Sequence, residues 1–245
     1  MAGRQDVVEL IKDLSSTFSA EKVLDFLFPK FCAGCEREGS WLCENCLQEK
    51  VINKTAPNPS SAKERNYKPP PSQRRGQGEV SSLDGITALF DYGENTPSKL
   101  IKMVKYNYLL KIVDIFAKII TDIKFNHTWQ DFVIIPVPLH PRRERERGFN
   151  QAEILAKIFS EKFGLSINKN LRRVIYTAQQ AKLSGEERRN NLKDAFVWDD
   201  GVKIAPEKVL LADDVFTTGA TMQECAKVLK NNGVKAVWGL VLARG

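Results

Sequence analysis

The chain has 245 residues, of which 42% are hydrophobic, and its formal net charge is +7. This length and composition predict one large or two small soluble domains in the cytoplasm, with a charge that favours anionic partners, either phosphate-bearing small molecules or nucleic acid. No apolar run approaches the ~20 residues that cross a bilayer, and Asp6, Glu9 and Lys12 interrupt the N-terminal segment, so neither a membrane protein nor a secretory signal is expected.

The N-terminal region starts with apolar residues at near-helical spacing. This spacing predicts an amphipathic helix over about residues 5–18, and a second apolar patch follows at 23–28. We expect both segments to pack onto the rest of the protein. The mixed charge of the polar face argues against a membrane surface, and we predict no membrane partner.

Four of the five cysteines form two Cys-x-x-Cys pairs separated by seven residues: Cys32, Cys35, Cys43 and Cys46. In a cytosolic chain this spacing favours a metal over disulfides. Four thiolates surround one Zn²⁺ tetrahedrally at ~2.3 Å and leave no open position, so we predict a structural zinc whose binding supplies the folding energy of a small module. A redox pair is the alternative, but neither pair has a thioredoxin-like context. Cys225, inside a later helix, is expected to be a packing residue.

A change in composition marks a linker after the cysteines. From Asn53 onward, proline, serine and scattered basic residues replace nearly all hydrophobic ones. This composition predicts a flexible spacer of net positive charge, with nucleic-acid contact as the alternative interpretation. The predicted domains are therefore residues 1–52 with the zinc module, 53–82 as linker, and 83–245 as a folded domain.

Strand-like and helix-like segments alternate beyond the linker. Strands are predicted at 86–92, 132–135, 196–198, 209–212 and 236–242, and helices at 100–106, 109–123, 148–163 and 220–232, the last closed by Gly233. This alternation predicts an α/β fold with a doubly wound, mainly parallel sheet.

The segment from Leu210 to Met222 carries the clearest chemical signal. A buried strand leads into Asp213 and Asp214, and a small hydroxylated turn then opens a helix. The free amides and positive dipole end of a helix attract phosphate, and the threonine hydroxyls add donors. Carboxylates at the carboxyl end of a strand lie where open α/β sheets bind ligands and can accept hydrogen bonds from sugar hydroxyls.

This segment resembles the phosphoribosyl-pyrophosphate (PRPP) motif of type I phosphoribosyltransferases. A flavodoxin-like or Rossmann-like turn without a sugar phosphate is the alternative, but such a turn does not need the paired carboxylates. The resemblance implies catalytic roles for Asp213 and Asp214 on the ribose hydroxyls, and a substrate of PRPP with Mg²⁺. It implies phosphate binding by Val215, Phe216, Thr217, Thr218, Gly219, Ala220 and Thr221.

The likeness extends over nearly the whole chain from Phe28. The cysteine pairs are followed by FDYGENTPSKLIKMVKYN, IPVPLHPRRERERGFNQAEILA and TAQQAKLSGEERRNNLKDAF before the PRPP-like segment. This succession resembles the ComF/GntX family of phosphoribosyltransferase-like proteins with an N-terminal zinc module. Relatives in this family are associated with DNA uptake in natural competence.

In the phosphoribosyltransferase interpretation, the loop from Val137 to Arg147 would bind the leaving pyrophosphate. Its candidate residues are Pro138, His140, Arg142, Arg143 and Arg147. A mobile loop over 177–191 would close over the substrate with Arg188 and Arg189. The alternative for the arginine-glutamate run is a solvated helical turn with local ion pairs.

Two functional hypotheses follow from these patterns. The first is an enzyme that transfers a phosphoribosyl group from PRPP to an unidentified acceptor in nucleotide metabolism. The second is a non-catalytic competence protein that binds single-stranded DNA and partner proteins of the competence machinery through its basic segments. The sequence leaves the acceptor and the oligomeric state open.

Overall fold

The structure is a computed structural model that describes residues 29–51, 82–93, 96–105, 109–122, 129–176, 192–199, 201 and 205–245. The predicted N-terminal helices, the linker up to residue 81 and the predicted closing loop with Arg188 and Arg189 lie outside these residues. The chain divides into two compact units, Met1–Lys50 and Val51–Gly245. The predicted three-part division remains a prediction.

The first unit is built around two tight turns. An isolated antiparallel bridge joins Phe31 and Glu38. The turn between them places Glu36 in the left-handed region at φ 62°, and Gly39 follows at φ 114°. The short helix α1, Glu44–Cys46, comes next and continues as a π-helical turn over Leu47–Val51.

The second unit contains a four-stranded sheet in which every neighbouring pair is parallel. Its strands are β1 (Gly85–Asp91), β2 (Phe132–Pro136), β5 (Lys208–Phe216) and β6 (Ala236–Arg244), in the order β1-β6-β5-β2. Two short strands, β3 (Leu171–Arg173) and β4 (Phe196–Trp198), form a separate antiparallel pair.

Helices cover both faces of this sheet. They are α2 (Thr96–Lys105), α3 (Leu109–Asp122), α4 (Pro141–Arg147), α5 (Gln151–Phe163) and α6 (Ala220–Asn231). Helix α5 packs on β2, β5 and α3, and α3 also packs on α2. Helix α6 packs on β4, β5 and β6. Among the described residues, every helix is too short or too polar to cross a bilayer.

The side chains of β5 point alternately to the two faces of the sheet, so a helix layer on each face is needed to bury them. Val209 and Leu211 join the core that contains Cys225 and Leu229 of α6. Leu210 points to the opposite face, toward the α5 layer, because successive strand residues face opposite sides. All three strand residues are 0% exposed. A run of apolar residues without polar alternation is typical of a parallel strand buried on both faces, and the predicted doubly wound α/β fold is confirmed.

Strands β5 and β3 differ from the prediction. Strand β5 continues past Ala212 to Phe216, because β6 pairs with it as far as Arg244. The segment Leu171–Arg173 forms β3, which was not predicted as a strand, because its partner β4 is distant in the chain and no local turn joins them.

Candidate ligand-binding edge and metal centre

The four cysteine sulfurs of the first unit form one compact cluster. All lie within 4.8 Å of one another. Cys43 Sγ is 3.7 Å from Cys32 Sγ and 3.8 Å from Cys35 Sγ. A tetrahedral zinc with bonds of ~2.3 Å places its sulfur ligands about 3.8 Å apart, so Cys32, Cys35, Cys43 and Cys46 could hold a structural zinc.

Hydrogen-bond donors around the cluster favour the thiolate form of Cys32 and Cys35. The amides of Gly34 and Cys43 point to Cys32 Sγ at 3.4 and 3.3 Å. Arg37 Nε donates to Cys35 Sγ at 3.4 Å, and this contact lowers the pKa of the Cys35 thiol to about 6.

The pKa of the buried Cys46 thiol shifts in the opposite direction. Burial, together with hydrogen bonds that the Cys46 thiol donates to the neighbouring cysteine sulfurs, raises the pKa of Cys46 to about 12. Four thiolates at this spacing therefore need a cation among them, and a bound zinc would supply that charge. A Cβ at Gly34 would lie 2.7 Å from Cys46 Cβ, so the first turn requires glycine to bring the two cysteine pairs together.

In the second unit, the connections after β2 and β5 leave in opposite directions. After β2 the chain passes through α5 to residues 166–168, which hydrogen-bond to Ile134 of β2 on the side away from β5. After β5 it passes through α6 to β6. Opposite connections open a crevice between the carboxyl ends of two parallel strands, and open α/β sheets bind ligands there.

Asp213 and Asp214 lie in β5 at this crevice. The pairing of β5 with β2 stops at Ala212, whereas its pairing with β6 continues to Phe216. The two carboxylates face opposite sides of the sheet. Asp214 lines a cleft with α2, α3 and α5. Asp213 lies on the α6 side, where burial and then the charge of Asp213 raise the pKa of the Cys225 thiol.

The turn between β5 and α6 is shaped by a single glycine. Gly219 is the N-cap of α6 and has a left-handed backbone with φ 76°. A Cβ there would lie 2.4 Å from the ring of Phe216, so only glycine fits. The amide of Ala220 lies 3.4 Å from Thr218 Oγ1. The predicted phosphate-binding residues thus form one turn at the positive end of a helix: Val215, Phe216, Thr217, Thr218, Gly219, Ala220 and Thr221.

The predicted basic loop after β2 is mostly a helix, and this corrects the expectation. Helix α4 begins at Pro141, and His140 Nδ1 accepts from the amide of Arg142 at 3.2 Å. Arg142 Nε pairs with Glu146 at 3.2 Å, and both side chains are exposed. The alternative of a solvated helical turn with local ion pairs therefore describes Arg142. Only residues 137–140, which include Pro138, remain a loop.

The half-buried end of α4 contacts the start of α5. Arg147 Nη1 donates to Gln151 Oε1 at 2.8 Å. Gln151 is 6% exposed and lines the same cleft as Asp214. Its side-chain amide was not predicted as part of the site, since nothing in the local sequence shows that a glutamine at a helix start is buried.

Asn150 ties the loop after β2 to α5. It is 5% exposed, and its Nδ2 donates to the carbonyl of Val137 at 3.1 Å. Its Oδ1 accepts from the amide of Ala152 at 3.0 Å, as an N-cap does. An asparagine just before an apolar helix is a recognised start signal, but the predicted helix began at residue 148, and the long-range bond to Val137 required the tertiary structure.

Arg173 of β3 lies within electrostatic reach of Asp213, and the sequence did not predict it as a site residue. It is 8% exposed, and its guanidinium lies over the Phe196 ring at 5.4 Å. Burial lowers the pKa of Arg173; the charge of Arg143 lowers it further and that of Asp213 raises it. The β3–β4 pair therefore brings a buried cation within electrostatic reach of the acidic pair.

An exposed aromatic cluster follows β3. Tyr176 is 43% exposed. Its ring meets the His140 ring edge-to-face at 5.2 Å, and the guanidinium of Arg142 lies over it at 4.9 Å. The predicted residues His140 and Arg142 are thus brought together with an aromatic ring.

No protein-family model matches the chain. It is 42% identical to Competence protein F of Haemophilus influenzae over 114 residues. This stretch is 45% of this chain and 50% of that protein. It is 37% identical over 112 residues to DNA utilization protein YhgH of Escherichia coli, covering 45% and 48%. The chain thus spans about half the length of these curated relatives.

A third match extends along most of both chains. Competence protein ComFC of Streptococcus pneumoniae is 28% identical over 217 residues, which is 87% of each protein. Together the three matches support the resemblance to the ComF family. The four-cysteine cluster fits the zinc module that this resemblance implied.

Proposed function

We propose that this chain binds PRPP with Mg²⁺ and transfers, or senses, its phosphoribosyl group in nucleotide metabolism linked to DNA uptake. One observation carries the proposal. An acidic pair and a glycine-shaped turn at a helix N-terminus lie together at the crevice between β2 and β5. A crevice of this kind suits a ligand that combines sugar hydroxyls with a terminal phosphate.

In this proposal the turn over residues 215–221 holds the 5-phosphate. Asp213 and Asp214 accept hydrogen bonds from the ribose hydroxyls, and their charge stabilises the positive charge that develops on the ribosyl ring. Arg143, Arg147 and Arg173 supply cations for the leaving pyrophosphate, whose negative charge grows as the bond breaks. Mg²⁺ enters with PRPP as part of the substrate.

The zinc module has a structural part in this proposal. Four cysteine ligands leave no coordination position for a substrate, so the metal takes no part in the transfer. Reduced thiols suit a reducing compartment, and we propose that the protein acts in the cytoplasm.

Calorimetry with PRPP, with and without Mg²⁺, tests the proposal. We expect Mg²⁺-dependent binding by the wild type and none by the Asp213→Ala/Asp214→Ala double variant. Asp131→Asn, an exposed carboxylate immediately before β2 at the opposite end of the sheet, is the control and should bind as the wild type does. Binding that persists in the double variant, or that is absent from the wild type, contradicts the proposal.

A second candidate function rests on the cluster of Tyr176, His140 and Arg142. An exposed ring flanked by a guanidinium and an imidazole is suited to stack a nucleobase of single-stranded DNA, and a net charge of +7 favours its backbone. The names of two similar proteins, Competence protein F and DNA utilization protein YhgH, favour the same ligand.

Fluorescence anisotropy with an oligothymidine probe tests this candidate. We expect binding that weakens with salt, and a loss of about 1–3 kcal/mol in Tyr176→Ala, because one base loses its stacking partner. Tyr176→Phe keeps the ring and is the control. Equal affinity of Tyr176→Ala and the wild type, or no binding at low salt, would remove this function.

A further inference from the structure

The loop after β2, residues 137–140, is held at its first residue by both backbone polar groups. The amide of Val137 donates to the carbonyl of Ala212 in β5 at 2.9 Å, so the hydrogen bonds between the two strands continue one residue beyond β2. The carbonyl of Val137 accepts from Nδ2 of Asn150 at 3.1 Å. Because Ala212 directly precedes Asp213, these two bonds hold the start of the loop beside the acidic pair.

The rest of this loop has little conformational freedom. Pro138 has a fixed φ, and it also restricts the backbone of the residue before it. His140 is the N-cap of α4, and its Nδ1 accepts from the amide of Arg142. The position of Val137 therefore determines where the first turn of α4 lies.

Asn150 closes the segment that contains α4. Its bond to Val137 joins positions 13 residues apart. The closed segment carries Arg143 and Arg147, and closing it restricts the conformations that these arginines can reach. The Asn150 side chain is 5% exposed, and its Oδ1 accepts from the amide of Ala152 at 3.0 Å. The side-chain amide is thus fixed at both of its polar atoms.

We propose that Asn150 is a positioning residue that holds the loop after β2, together with α4, for the pyrophosphate end of PRPP. In this role it acts through the backbone of Val137 and does not contact the ligand. Charge-assisted bonds to a pyrophosphate depend on distance and direction, so a loosened loop weakens them. The turn over residues 215–221, which holds the 5-phosphate, is a separate element. This inference rests on the proposed function, because it takes the ligand to be PRPP.

Two ligands that differ only by the pyrophosphate, PRPP and ribose 5-phosphate, test this role. Calorimetry with Mg²⁺ would measure both ligands against the wild type, Asn150→Asp and Asn150→Ser. Aspartate and serine are good N-caps, so both variants keep an acceptor for the amide of Ala152. An ionised aspartate has no donor for the Val137 carbonyl, and the serine hydroxyl lies one bond short of the position of Nδ2.

We expect both variants to bind PRPP about tenfold or more weakly than the wild type, because displaced cations lose much of their contact with the ligand. Their affinity for ribose 5-phosphate should stay at the wild-type value. A folding defect would weaken both ligands by the same factor, since only the folded fraction binds. The ratio of the two affinities therefore reports on the loop and not on stability. Thermal unfolding identifies a variant that does not fold, and the other variant then carries the test.

Asn168→Asp is the matched control, because it makes the same substitution on the side of β2 away from β5. Asn168 Oδ1 accepts from the amide of Asn170 at 2.8 Å, a bond that aspartate retains, and the ratio of affinities should be that of the wild type.

The possible failures are distinguishable. An equal loss for both ligands, or wild-type affinity for PRPP in both variants, overturns the role of Asn150 while the proposed function stands. A loss in folded Asn150→Asp that folded Asn150→Ser does not share also overturns it, because the added charge is then the cause. If the wild type binds neither PRPP nor ribose 5-phosphate, the proposed function is wrong and this inference fails with it.

Discussion

Gly219 shows how a single residue shapes the proposed phosphate turn. Two separate constraints act on it. Its backbone is left-handed at φ 76°, and a Cβ added there would lie only 2.4 Å from the Phe216 ring. Phe216 has little freedom to move, because it is 3% exposed and lies under the guanidinium of Arg244 at 5.8 Å. The turn therefore depends on glycine for both conformation and space.

We predict that Gly219→Ala lowers the free energy of unfolding by about 2–4 kcal/mol, the sum of left-handed strain and overpacking. It should also abolish PRPP binding, since the turn has to shift. Gly233→Ala is the matched control: φ is 94° there, but a Cβ would meet nothing within 4 Å, so only about 1–2 kcal/mol of strain is expected. Urea denaturation measures both variants, and equal losses would contradict the steric part of the argument.

At the scale of elements, the loop after β2 is held by the helix that follows it. Helix α4 ends at Gly148 in the left-handed region, and Asn150 then begins α5 while bonding back to Val137. One buried side chain thus orients α4, with its arginines, relative to the end of β2. This arrangement places Arg147 against Gln151 and so connects the basic segment to the cleft.

We predict that Asn150→Ala lowers the free energy of unfolding by about 2–4 kcal/mol, because it removes an N-cap and leaves the Val137 carbonyl unpaired. Asn232→Ala removes an exposed bond of 2.8 Å to the Val228 carbonyl at the end of α6 and should cost about 0.5 kcal/mol or less. Thermal or urea unfolding compares the two. A loss in Asn150→Ala no larger than that in Asn232→Ala would show that the loop is held by other contacts.

Local signals predicted most elements but not their partners. The bounds of β2, β4 and α5 agree with the sequence to within about three residues, because periodicity, caps and breakers act within a few positions. Strand β3 was missed because a three-residue strand has no periodicity of its own and is defined by pairing with β4. The basic segment was predicted as a loop because of its dense charge. Pro141 and Gly148, which mark the start and the end of a helix, were the local signals for α4.

At the scale of the whole molecule, the chain consists of two units with different sources of stability. The second unit has a large apolar core that spans the sheet and α6. The first unit gathers four thiols within 4.8 Å, and metal binding contributes folding energy to small modules of this kind. The two units should therefore respond differently to the removal of zinc.

We predict that Cys46→Ser abolishes tight zinc binding, whereas Cys225→Ser, outside the cluster, leaves the zinc content at the wild-type level. The main thermal transition of the second unit should persist in Cys46→Ser and after chelation of the wild type. Metal analysis of the purified proteins and calorimetric scans measure these outcomes. Retention of the wild-type zinc content by Cys46→Ser would contradict the four-thiol site.

The sequence by itself determined the features that depend on neighbours in the chain. The spacing of the cysteines gave the ligand set, and the contiguous segment from Asp213 to Thr221 gave the acidic pair and the turn. The tertiary structure decided which distant groups join them: Gln151 lines the same cleft as Asp214, and Arg173 lies within electrostatic reach of Asp213. The physical reason is that the burial and partners of a polar side chain are set by long-range packing, on which a local pattern carries no information.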